Sequence, residues 1–102
     1  MKNNDVELIF GRLGRDPELK YTTSKEAVCS FSVAINKDKD SPPIWKQVSV
    51  WGELGERCSL FLKKGSQVFV RGQTKFKEYT SKKGELKSFE EMKAWEIGFI
   101  NF

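Results

Sequence analysis

Between Ile44 and Gly65 the chain changes its hydrophobic period halfway, and that switch narrows what it can fold into. From Ile44 to Trp51 the residues alternate, with Ile44, Val48 and Val50 on one side and Trp45, Gln47, Ser49 and Trp51 on the other. This is the period-two pattern of a half-buried strand. From Glu53 onward Leu54, Cys58, Phe61 and Leu62 fall at helical spacing, so a short amphipathic helix follows, closed by Lys63, Lys64 and Gly65. Gly52 is the hinge between the two.

If the valine side of this strand is the core, the tryptophans look outward. Trp45 and Trp51 then stand roughly 20 Å apart along one face, the span of a few extended nucleotides rather than of one small ligand. A tryptophan can also close the end of a core while keeping one edge wet. Trp45 reads as an exposed stacking ring; for Trp51, beside the hinge, both readings stand.

The neighbouring segments extend the pattern. A first strand runs over residues 5–13, and Gly14 to Glu18 is a turn in which Pro17 fixes φ; Glu18 to Tyr21 can add a short strand. Ala27 to Ile35 alternates, with Ala27, Cys29, Phe31, Val33 and Ile35 inward. Ser30, Ser32 and Ala34 face outward, a small and polar surface on which a backbone can lie. Asn36 to Pro43 is a charged hairpin loop. Ser66 to Thr74 alternates again, with Val68 and Val70 inward and a bulge or close crossing expected at Gly72. Lys75 to Tyr79 carries this strand beyond the body, Thr80 to Gly84 turns it, and Glu85 to Ala94 returns, which makes a hairpin arm; Trp95 to Ile100 is a last short segment. The expected class is all-β: an OB-fold, a five-stranded Greek-key barrel with one short helix between strands 3 and 4 and an extended basic hairpin. At 102 residues the chain is read as a single domain.

The formal charge of +4 is concentrated in the arm. Between Arg71 and Lys87 stand six bases (Arg71, Lys75, Lys77, Lys82, Lys83, Lys87) against two acids (Glu78, Glu85), and the rest of the chain balances. Phe76 and Tyr79 are interleaved with these lysines. Charge runs are commonly solvated faces, but lysines that neutralise phosphates next to rings that stack on bases are what a single-stranded nucleic acid groove requires. No histidine is present, which removes the commonest general base and metal ligand, and no nucleophile, base and orienting group can be assembled; neither an enzyme nor a metal or other cofactor is expected. Cys29 and Cys58 read as reduced core residues. No apolar run approaches the ~18 residues of a membrane span, and the N-terminus has no signal-peptide pattern, so a cytoplasmic, nucleoid-associated protein is expected.

Four blocks, in order, resemble the bacterial single-stranded DNA-binding protein (SSB) family: Gly11-Arg-Leu-Gly-Arg-Asp-Pro-Glu18; Ala27-Val-Cys-Ser-Phe-Ser-Val-Ala34; Trp45 through Val48 to Trp51-Gly52-Glu-Leu-Gly-Glu56; and Leu62-Lys-Lys-Gly-Ser-Gln-Val-Phe-Val-Arg-Gly72. The resemblance covers nearly the whole chain. It implies an OB-fold that wraps single-stranded DNA without sequence preference in replication, recombination or repair. It also implies a homotetramer, with a dimer as the alternative, whose first strand helps build the dimer interface. Trp45 matches the family's stacking tryptophan, Trp51 takes the place of its aromatic before the glycine, and Tyr79 falls where the hairpin carries another stacking ring. Phe76 has no counterpart and rests on the charge argument. Arg12, Arg15 and Lys37, with Gln47 between the tryptophans, complete the expected DNA-contacting set.

Two departures stand out. The loop Asn36 to Pro43 is short for the family and lacks its frequent aromatic, so a smaller footprint is expected. The family's linker and acidic tip do not follow Phe102, which reads as a tail-less form that does not recruit replication or repair proteins through such a tip. An adaptor resembling the primosomal PriB proteins, weak on DNA and strong on other replication proteins, is the alternative. RNA is a further possible ligand, because stacking does not separate uracil from thymine.

Overall fold

The computed structural model describes residues 6–36 and 39–99; Lys37, Ile100 and the first residue of the expected opening strand lie outside them. Six strands and one helix follow in order: β1 (Val6–Leu13), β2 (Glu18–Tyr21), β3 (Ala27–Ile35), β4 (Ile44–Trp51), α1 (Gly52–Phe61), β5 (Gln67–Thr80) and β6 (Leu86–Phe99). Five of these strands are long, and the helix lies between the third and fourth of them, as expected; four-residue β2 is the sixth.

The sheet returns to its starting strand. β1 pairs with β5 from Val6↔Gln73 to Arg12↔Gln67, β5 with β6, β6 in parallel with β4, and β4 with β3. β3 then meets the end of β1 at Arg12↔Ala34 and Leu13↔Val33, closing the ring of an OB-fold. β2 lies on β3 as a short flap. Inside are Ile9, Leu13, Cys29, Phe31, Val33, Val48, Val50, Val68, Val70, Met92 and Ala94, with Cys58 and Leu62 plugging the end from the helix side. Each fully buried valine here contributes roughly 1.5–3 kcal/mol of transfer free energy. Burial pushes the Cys58 thiol up to about 12, with Cys29 nearby adding to the shift, and burial raises Cys29 as well; both are free thiols, protonated and inert at neutral pH.

Several local readings change. The helix stops at Phe61 rather than at the lysines, because Leu62 turns extended and buries in the core while its N–H reaches Cys58 O at 2.9 Å. Phe61, expected on the buried face, is exposed and meets Phe99 edge-on at 6.4 Å. The final strand is continuous over Leu86–Phe99. The irregularity expected at Gly72 is a register shift: Arg71 pairs with Glu96 and Gly72 with Ala94, so Trp95 is the extra, unpaired residue and is pushed outward.

Ile44, expected inside, is exposed at the open end of β4, and two positions on, the inner side of that strand holds Lys46. Its side chain is only 11% exposed, and its ammonium pairs with Glu7 at 2.8 Å and Glu90 at 2.9 Å, tying β4 to β1 and to the base of the arm. Burial pulls this ammonium toward neutrality, but the two carboxylates together outweigh it and hold the pKa above the ordinary lysine value. Glu7, held by Lys46 and then by the Thr74 hydroxyl, is pushed below the ordinary 4.5. A lowered carboxylate stabilises the fold above its unfolded pKa and is lost as pH falls through the folded one; a raised ammonium is lost only as pH rises past 10.5. Lys46→Met should therefore cost about 1–3 kcal/mol at neutral pH, less than a fully buried pair because both carboxylates are partly solvated. In chemical denaturation at stepped pH, the wild type should lose more stability than this variant on acidification below 4.5. Parallel acid limbs would contradict the assignment.

Candidate nucleic-acid interface

The outward side of β4 carries Trp45, Gln47, Ser49 and Trp51, and the register lays the outward side of β3 next to it: Ala34 beside Trp45, Ser32 beside Gln47, Ser30 beside Ser49, Val28 beside Trp51. The result is a strip with a large ring at each end and small side chains between. Trp45 is 54% exposed, and the six-membered edge of its indole abuts Gly14; a β-carbon built there would sit 2.4 Å from the ring, so the glycine is what lets the ring come so close to the turn. Asp16 fixes that turn by accepting the Lys64 N–H at 2.8 Å. Trp45, Gly14, Arg15, Ser30, Ser32 and Gln47 line a groove of about 570 Å³. Gln47 Nε2 donates to Ser32 Oγ at 2.8 Å, which orients the amide along the floor. Ser49 points the same way but is not wet: it is buried beside Ser30 of β3 and Lys93 of β6, and among the described residues its hydroxyl has no partner.

Trp51 sits half-buried at the other end, in extended backbone just before α1, with Gly52 making the turn at φ +73°. The Lys93 ammonium lies 5.1 Å from the centre of its ring, a cation–π distance. The arm rises alongside. Residues 75–80 of β5 pair only with β6 among the described residues, and alternation sorts their side chains onto two faces. Lys75, Lys77 and Tyr79, opposite Glu91, Phe89 and Lys87, share the face continuous with Lys93 and Trp51. Tyr79 meets Phe89 edge-on at 5.8 Å. Lys82 and Lys83 are exposed at the turn of the arm.

Not every expected residue joins this surface. Phe76 stands three positions before Tyr79 on the same strand, so it is on the opposite face of the arm, 76% exposed, in register with Glu90. Arg71 lies beside Leu8 and pairs with Glu96 at 3.5 Å, toward the outer face of β1. Arg12 falls in the row Arg12–Ala34–Trp45, two strands over from the stacking ring, and reaches Gly65 O at 3.4 Å. Sequence reasoning missed Lys93 and Phe89. Both are defined by the β5–β6 register, and the only signal for them was the alternation of Lys87, Phe89, Glu91 and Lys93 itself.

The surface offers exposed rings, small polar side chains and ammonium groups, the means of holding an extended, charged, base-bearing chain. The chain matches the model of the single-strand binding protein family over residues 4–100. It is similar to single-stranded DNA-binding protein 1 of Synechocystis, 42% identical over 79 residues, covering 74% of this chain and 64% of that one. It is also similar to the single-stranded DNA-binding proteins of Treponema pallidum (39% identical, covering 95% and 57%) and of Neisseria meningitidis serogroup A (38%, covering 82% and 52%). The chain thus spans between about half and two thirds of the length of these relatives.

Proposed function

The chain belongs to the single-strand binding protein family, and from that premise we propose that it binds single-stranded DNA without sequence preference. Bases stack on Trp45, Trp51 and Tyr79, Arg15 and Gln47 line the groove at Trp45, and phosphates pair with Lys75, Lys77, Lys82, Lys83 and Lys87. Arg12 and Arg71 flank this track, Lys37 lies outside the described residues, and Phe76 stands on the opposite face of the arm. The observation that carries the reading is the strip between Trp45 and Trp51, with small residues on its β3 side and the lysine face of the arm at its end. Its action is binding without chemistry: shielding single strands during replication, recombination or repair, on the nucleoid in the cytoplasm.

The protein works as a homo-oligomer, a tetramer on the family pattern. Supporting this, Val6, Leu8 and Phe10 are all exposed along the outer side of β1, with Phe69 against Phe10 at 6.4 Å, an apolar stripe that a second copy would cover. No comparison favours the adaptor alternative.

The test is competition between oligo(dT) and a blunt duplex of equal length. The single strand should win by roughly ten-fold or more, because paired bases cannot leave their stack to reach the rings. Its affinity should fall with salt at a log–log slope of about −0.7 per phosphate neutralised. Equal affinity for the duplex, or a salt-independent affinity, would contradict the proposal.

A further inference from the structure

Beside Trp51 the arm and the body enclose a small cleft of about 140 Å³ lined by Trp51, Lys75, Lys77, Glu91 and Lys93. It is open to solvent on one side and has room for a phosphate group. The β5–β6 register builds it: Lys75 faces Glu91, Gln73 faces Lys93, and Lys77 follows on the same side. Three ammonium groups therefore meet one carboxylate. Glu91 is bound to Lys77 at 2.8 Å, and Lys93 lies over the Trp51 ring. Lys75 makes no ion pair among the described residues. The cleft carries an excess of two positive charges at the edge of a ring placed for stacking.

Resting on the single-strand reading above, we propose that this cleft is a phosphodiester site in which Lys75, Lys77 and Lys93 hold the phosphate next to the base stacked on Trp51, and that Glu91 is its built-in counter-ion. A carboxylate and a phosphate compete for the same ammonium groups. The Glu91 side chain is 23% exposed and that of Lys77 50%, so the ammonium can swing outward to an arriving phosphate while the carboxylate stays behind. Glu91 then repels the phosphate it faces. Lys93 makes the matching exchange, leaving the indole face it covers when no strand is present and pairing with the phosphate as a base takes its place. Glu91 thus weakens the grip on DNA and keeps Lys77 neutralised between binding events.

The experiment measures oligo(dT) affinity across a salt series for the wild type, Glu91→Gln, Lys93→Met and Glu85→Gln, with thermal unfolding to confirm that each is folded. Glu91→Gln should bind roughly five-fold tighter at low salt, the value of one ion pair in a water-like dielectric, and Lys93→Met should bind more weakly. The salt slope should flatten by about 0.7 in Lys93→Met, which loses one phosphate contact, and steepen by a similar amount in Glu91→Gln, because no bare carboxylate is left to take up a cation when Lys77 moves to the phosphate. Glu85→Gln removes the same charge at the turn of the arm and should keep the wild-type slope. A Glu91→Gln slope equal to wild type, or a Glu85→Gln protein that reproduces the gain, overturns the inference while leaving single-strand binding intact. If the wild type does not bind oligo(dT) at all, the functional reading fails first and the phosphate site with it.

Discussion

Alanine at Gly72 is expected to destabilise the protein by about 3 kcal/mol or more, the top of the range for a side chain forced into a filled space. A β-carbon there would lie 2.3 Å from the Lys93 carbonyl oxygen and 2.7 Å from the Ala94 α-carbon. Both are backbone atoms, so no rotamer change relieves the contact. The residue sits where β5 and β6 shift register, at the root of the arm, and the pair can relax only by parting the ladder there. Because Lys93 would move with it, the variant should also bind oligo(dT) less well even at temperatures where it remains folded. Urea unfolding checks the first effect, and a midpoint indistinguishable from wild type would show that the crossing is looser than the geometry says.

Trp45→Ala carries the largest expected effect on binding. Removing one stacking ring costs roughly 1–3 kcal/mol, a loss of about 5- to 150-fold in affinity for a single strand. Stability should change by less than about 1 kcal/mol, because the ring is more than half exposed and abuts the turn at Gly14 instead of filling the core. Trp45→Phe, which keeps a smaller π-face, should fall between. If the alanine variant binds as tightly as the wild type, the groove beside Gly14 is not where the strand lies.

Much of this was legible in the chain. Ala27 to Ile35 and Ser66 to Val70 alternate cleanly because each has one wet and one dry face, and the Gly52 hinge is visible as a change of period. The failures share a cause: periodicity shows which residues share a face, not what covers that face. Lys46 lies in an inward slot that no pattern of apolar residues would assign to a lysine; Glu7 and Glu90, distant in sequence, make it tolerable there. Phe61 follows the helical stripe but overhangs the end of the core. Phe76 and Tyr79 are neighbours in composition and opposites in geometry, since residues three apart on a strand face away from each other. The parallel pairing of β4 with β6, which brings Lys93 to Trp51, has no local signal at all; it follows from ring closure.

The most direct measurement is a titration of tryptophan emission with oligo(dT) of about 35 nucleotides, longer than the ~4–16 nucleotides one OB-fold covers, at low and at moderate salt. Strong, saturable quenching that weakens as salt rises is expected, and markedly less of it from folded Trp45→Ala. Emission that does not respond to the oligonucleotide at low salt would mean that the outward rings of β4 do not stack on bases, and the proposed function would fall.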